Sequence, residues 1–120
     1  MKINESSENY LETIFIIKKR NGFARSIDIA NELSYTKASV SVAMKSLREN
    51  GYINVCEDGK ITLTKKGSEI AERMFERHQI IASALMKIGV NEDTAYKDSC
   101  KIEHFISNES FDKIKEFLNR

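Results

Sequence analysis

The octet DSCKIEHF, residues 98–105, places a thiol, a carboxylate and an imidazole at Cys100, Glu103 and His104, three and four positions apart. All three are competent donors to a divalent transition metal, and helical spacing over the octet would set them on neighbouring parts of one face. Three donors from one segment leave a coordination sphere incomplete, so the remainder must come from elsewhere. The only other histidine, His78, lies on an apolar helical stripe, where an imidazole is costly unless hydrogen-bonded or metal-bound. It reads either as a core histidine bonded to a carboxylate or as a further ligand. Asn9 and Glu12, with Glu8 beside them, share a helix face near the N-terminus and read either as solvated polar residues or as the missing oxygen donors. Cys56 and Cys100 are too few and too far apart for a disulfide framework or a C-x-x-C zinc knuckle, so each reads as a free thiol.

The elements that must position these residues follow from periodicity and punctuation. SSENYLETIFIIKKRNG reads as a first helix, with an N-cap at Ser6 or Ser7, apolar residues at Tyr10, Leu11, Ile14, Phe15 and Ile17, a basic last turn and Gly22 at its end. SIDIANEL gives a short second helix. Thr36 caps a third that runs to about Arg48, with Gly51 placed to stop it. YINVC and KITLT, joined around EDG, are β-rich runs separated by residues suited to a tight hairpin. A long helix is predicted from about Lys66 to Ile88, with Ala71, Met74, Phe75, His78, Ile81, Ala82 and Leu85 on one stripe. Two shorter helices, roughly 92–106 and 109–119, complete the chain, the last capped by Ser107 or Asn108. The fold class is mainly α with a small β-hairpin, and 120 residues suffice for two small units, 1–70 and 71–120.

Helix, short helix, tight turn, helix and hairpin is the order of a winged helix-turn-helix, in which a helix enters the DNA major groove and a β-ribbon lies along the neighbouring backbone. The third helix is the expected reader. Val40, Met44 and Leu47 face a core, while Lys37, Ser41, Lys45 and Arg48 follow i, i+4, i+8, i+11 spacing on the opposite side. Lys37, Lys45 and Arg48 suit phosphates; Thr36, Ser39 and Ser41 are hydroxyls within reach of base edges or phosphate oxygens; Lys60 stands on the ribbon. No Arg, Asn or Gln lies early in that helix, so bidentate base contacts are not obvious and DNA shape must carry part of any specificity. Charge follows the same division: residues 1–66 hold 11 Lys/Arg against 8 Asp/Glu, residues 67–120 hold 8 against 10. The front half is the better partner for phosphate. A plain solvated face is the rival reading of the basic stripe.

MKINESSENY is polar and IFII is only four residues long, so neither a signal peptide nor a membrane span is expected, and a cytoplasmic location follows. An enzyme is not expected either: there is no H-E-x-x-H and no phosphate-cradling glycine loop.

From about residue 6 to 118 the sequence resembles the diphtheria toxin repressor and manganese transport regulator family of metal-dependent transcriptional repressors. The resemblance rests on NYLETIF with GFARSIDIANEL, on GKITLTKKGSEIAERMFERHQII, and on IGVNEDTAYKDSCKIEHFIS, the last being the most specific. It implies that Glu12, His78, Cys100, Glu103 and His104 are metal ligands, with a further ligand position at Asn9. There the iron branch has Met and the manganese branch Asp. Cys100 matches the iron-type branch and Glu12 the manganese-type, so the implied site is a hybrid for Fe(II) or Mn(II), with Zn(II) or Co(II) also compatible with the thiol. The resemblance further implies a homodimer on palindromic double-stranded operator DNA. Iron-type members often carry an added β-barrel domain and the short manganese-type members usually extend past the position of Arg120, so a minimal two-unit version is expected. A metal-independent winged-helix regulator, with Glu103 and His104 as a structural pair, is the alternative.

Overall fold

The computed structural model describes residues 3–120; Met1 and Lys2, at the head of the polar N-terminal stretch and of the 1–70 unit, lie outside the described residues. The described chain forms α1 (Glu5–Asn21), α2 (Ser26–Leu33), α3 (Lys37–Glu49), β1 (Ile53–Val55), β2 (Ile61–Leu63), α4 (Lys65–Lys87), α5 (Glu92–Ile102) and α6 (Asn108–Leu118). It divides into two units after Glu72, within α4.

In the first unit the cap of α1 is Asn4, not Ser6 or Ser7: its side chain accepts from the Ser7 amide at 2.8 Å. Asn is as good a cap as Ser, and starting the helix earlier places both Glu5 and Glu8 in the first turn, where the helix dipole favours negative charge. Gly22 closes α1 at φ 87°, a left-handed conformation that costs a residue without a β-carbon little. Thr36 caps α3 through the Ser39 amide, and Val40, Met44 and Leu47 are buried as their spacing predicts. They join Leu11, Ile14, Ile17, Ile29, Tyr52, Ile53 and Ile61 in one apolar core.

The hairpin pairs Ile53 with Leu63 and Val55 with Ile61, and Gly59 takes φ 88° in its turn. A third edge was not legible in the sequence: Ala24 bridges Ile61, with the Ile61 amide donating to the Ala24 carbonyl at 2.7 Å. A single bridging residue carries no alternation to read. After β2, the Thr64 hydroxyl accepts from the Gly67 amide and donates to the Gly51 and Tyr52 carbonyls, which starts α4 hard against the hairpin. There a β-carbon on Gly67 would overlap the Tyr52 carbonyl oxygen.

In the second unit, α4 contributes buried Met74, Ile81 and Ala82, α5 contributes Ala95 and α6 contributes Phe111. Asn91 caps α5 and Ser107 caps α6. Helix α5 ends at Ile102 rather than near 106. Both Phe105 and Ile106 amides turn back to the Ile102 carbonyl, because the chain must reach the extended backbone of Ser107 that caps α6. No helix among the described residues is long and apolar enough to cross a membrane.

The contact at Gly67 yields a test of how the hairpin seats α4. Gly67→Ala is expected to lower unfolding stability by ~1–3 kcal/mol, the usual cost of overpacking, as measured by urea denaturation. An unchanged midpoint would show that the hairpin yields freely.

Candidate metal centre and nucleic-acid interface

The face of α3 opposite the core is open. Lys37, Ser39, Ser41, Lys45 and Arg48 are all exposed, as is Thr36 at the cap. The Thr36 hydroxyl donates to Ser39 Oγ at 2.9 Å while accepting the Ser39 amide. It is thereby committed to the cap, whereas the Ser39 hydroxyl keeps its own hydrogen for an outside acceptor. Ser41, Lys45 and Arg48 line a groove of about 200 Å³ together with Ser26 from α2 and Val55 from β1.

On the ribbon, Lys60 Nζ lies 5.3 Å from the Phe23 ring centre and the Arg25 guanidinium 4.9 Å from the same ring. Arg25 Nε donates to the Asp58 carbonyl at 3.2 Å. Sequence reasoning picked out Lys60 but missed Arg25, Phe23 and Ser26, because what sets them beside the turn is the Ala24–Ile61 bridge. The Lys60 amide, donating to Asp58 at 3.1 Å, holds the Asp58 carboxyl below the usual carboxylate range, so the turn stays internally braced at neutral pH.

In the second unit, four of the six anticipated ligands come together. Glu103 has a side chain with no exposure. Its Oε2 lies 3.0 Å from His78 Nδ1 and its Oε1 3.4 Å from His104 Nε2, so one carboxylate stands between two imidazoles. Cys100 Sγ lies 3.7 Å from the same His78 nitrogen. The His104 side chain is 2% exposed and that of His78 13%, while Cys100 is exposed. The His78 ring also lies 5.5 Å from that of Tyr96, tilted by 39°. Buried Ser99 donates its hydroxyl to the His78 carbonyl at 2.6 Å, tying α5 to α4 one residue before Cys100.

The other two anticipated ligands belong to the first unit. Glu12 is buried on α1, and Asn9, half-buried one turn earlier, accepts the Thr13 hydroxyl on its backbone carbonyl. A carboxylate withdrawn from water needs positive charge beside it, and two imidazoles with a thiol are a donor set that suits a divalent transition ion. The helix end at Ile102 matters to this geometry. Glu103 keeps near-helical backbone angles, φ −58° and ψ −28°, so Cys100 and Glu103 retain helical spacing while His104 belongs to the turn.

The description "Iron dependent repressor, N-terminal DNA binding domain" matches residues 2–61, and "Iron dependent repressor, metal binding and dimerisation domain" matches residues 64–120. The chain belongs to the iron-dependent repressor family. It is 34% identical over 113 residues to the HTH-type transcriptional regulator MntR of Lysinibacillus sphaericus, covering 94% of this chain and 81% of that protein. An uncharacterized HTH-type transcriptional regulator of Methanocaldococcus jannaschii is 33% identical over 120 residues, covering 98% and 96%. The solved structure of the manganese regulator SloR superposes with a TM-score of 0.83 at 26% identity over 99% of this chain; the chain spans about half, 55%, of the SloR chain.

Membership decides against the metal-independent alternative. This is a metal-dependent transcriptional repressor whose first domain binds DNA and whose second binds metal and dimerises. It is a regulator, not an enzyme, and as a transcriptional regulator it acts in the cytoplasm.

The exposed cation on α3 supplies a direct test of whether that face meets DNA. Lys45→Ala is expected to weaken duplex binding by a similar factor on any sequence and to reduce the slope of log affinity against log salt by about 0.9, as one phosphate contact requires. An unchanged slope in a salt titration followed by fluorescence anisotropy would remove Lys45 from the interface.

Proposed function

We propose that this repressor binds palindromic operator DNA as a homodimer when His78, Cys100, Glu103 and His104, joined by Glu12 and Asn9 from α1, hold Fe(II) or Mn(II). The observation that carries the reading is the Glu103 carboxylate set between His78 and His104 with Cys100 beside them. We assign residues 1–70 to the DNA-binding domain and 71–120 to the metal-binding and dimerisation domain. The division after Glu72 and the family matches on either side of residues 61–64 support that boundary.

When bound, a divalent ion supplies concentrated positive charge that favours whichever arrangement brings all of its donors together. The protein does the rest. Glu103 would offer two oxygens from a buried position, His78 and His104 ring nitrogens, and Cys100 sulfur from an exposed edge. Glu12 and Asn9 ride on the unit that carries α3, so their recruitment biases the placement of the reading helix. In a twofold dimer the two α3 helices are then held about one DNA turn, ~34 Å, apart. Linkage requires that DNA tighten metal binding by the factor by which metal tightens DNA binding.

The donors pull selectivity in two directions. Cys100 suits Fe(II), Zn(II) or Co(II), whereas the carboxylates and the Asn9 carbonyl suit Mn(II), and stability order alone does not choose between them. The family is one of iron-dependent repressors, while SloR is a manganese regulator. Asn9 is the neutral member of an otherwise anionic oxygen set. Asn9→Asp is therefore expected to raise Mn(II) affinity by about tenfold in an equilibrium titration, since ligand charge tunes affinity for hard cations; equal or weaker binding would exclude Asn9 from the site.

His104→Ala is expected to abolish metal stimulation of operator binding in a gel-shift titration, with the dimer still intact by size-exclusion chromatography. Undiminished metal dependence in that variant would reject His104 as a ligand.

A further inference from the structure

The second unit buries a guanidinium beside the proposed ligands. Arg77 is 7% exposed and immediately precedes His78 on α4. Its Nη1 donates to the Glu103 carbonyl at 3.1 Å and to the Ile106 carbonyl at 2.9 Å, and its Nη2 donates to Asn108 Oδ1. The cation also lies 5.4 Å from the centre of the Phe111 ring.

These partners are not scattered. Glu103 and Ile106 bracket His104 in the turn after α5, and Asn108 is the first residue of α6. Carbonyls beyond the end of a helix have no partner within it, and a cation near a helix C-terminus also suits the dipole. The planar fork of an arginine can hold two carbonyls and an amide oxygen at once, which a single ammonium cannot do in the same geometry. Neighbouring residues on α4 therefore grip one residue from two sides: His78 meets the Glu103 carboxylate, and Arg77 holds the Glu103 backbone.

We propose that Arg77 is a positioning residue for the metal centre, fixing the turn so that Glu103 and His104 present their side chains together; this rests on their reading as ligands. A guanidinium buried only for packing would predict something different. Replacing such a group changes stability but leaves the affinity of the folded protein for metal untouched, whereas groups that orient ligands change affinity and coordination.

The test is a Co(II) titration of the full chain followed by visible absorption, alongside thermal unfolding of the metal-free protein. Arg77→Lys should still unfold cooperatively but bind Co(II) about ten- to a hundredfold more weakly, with altered ligand-field bands at saturation. A lowered unfolding midpoint with wild-type Co(II) affinity and bands would overturn the proposal. If Arg77→Lys does not fold, Asn108→Ala decides, since it keeps Arg77 and its carbonyl bonds but removes the third anchor. A loss of about twofold or more with shifted bands supports positioning, and unchanged binding overturns it. A wild-type chain that shows no saturable Co(II) spectrum sinks the ligand reading itself, and this inference with it.

Discussion

The second unit is organised around a carboxylate that water does not reach. Glu103 has no exposed surface, and an ionised carboxyl in that position costs several kcal/mol, on the order of the effective penalty for a buried ion, unless cationic or donor groups surround it. His78 supplies one such group from α4 and His104 another from the turn. The surrounding structure keeps that arrangement in place. Asn91 starts α5 in register, Ser99 pins α5 to the His78 carbonyl, and the amides of Phe105 and Ile106 fold back on Ile102. All but the Ser99 bond, which spans 21 positions, are local along the chain. Together they bring residues 25 positions apart in the chain to 3.0 Å.

The first unit meets a different constraint, that of presenting charge without burying it. Helix α3 spends Val40, Met44 and Leu47 on the core and keeps its polar face for solvent or phosphate. That face has cations and hydroxyls but few groups able to pair bidentately with a base, so on the proposed reading its contribution is chiefly electrostatic and salt-sensitive. The ribbon adds Arg25 and Lys60 around the Phe23 ring, with the Asp58 backbone fixing Arg25. A protein with weak intrinsic base reading gains most from a device that governs how two copies of its reading helix are spaced. A ligand-dependent dimer is such a device.

Much of this was legible from residue types and spacing. The 3.6-residue periodicity of α1, α3 and α4 and the Asp58-Gly59 turn predicted elements that the fold contains, and Thr36 predicted the start of α3. His78 on an apolar stripe was ambiguous by itself, since a histidine beside a carboxylate and a metal ligand look alike in one dimension; the family match to residues 64–120 decided that the unit binds metal. What the sequence hid was long-range or single-residue in nature. The Ala24–Ile61 bridge has no pattern in the sequence, and with it the placement of Arg25 is hidden. Asn4, Ser6 and Ser7 are all good caps, and only the amide geometry chooses Asn4. The early end of α5 depends on how Ser107 must enter α6, and the role of Arg77 depends on carbonyls 26 and 29 positions away.

On the proposed reading, the Glu103 carboxylate with His78 and His104 forms the heart of a metal centre. Crystals grown with Mn(II) or Fe(II) and measured at the absorption edge of the metal test it most directly. An anomalous peak is expected within bonding distance of a Glu103 oxygen and of at least one of the two imidazoles. A peak at some other group of side chains, away from Glu103, His78 and His104, would contradict it.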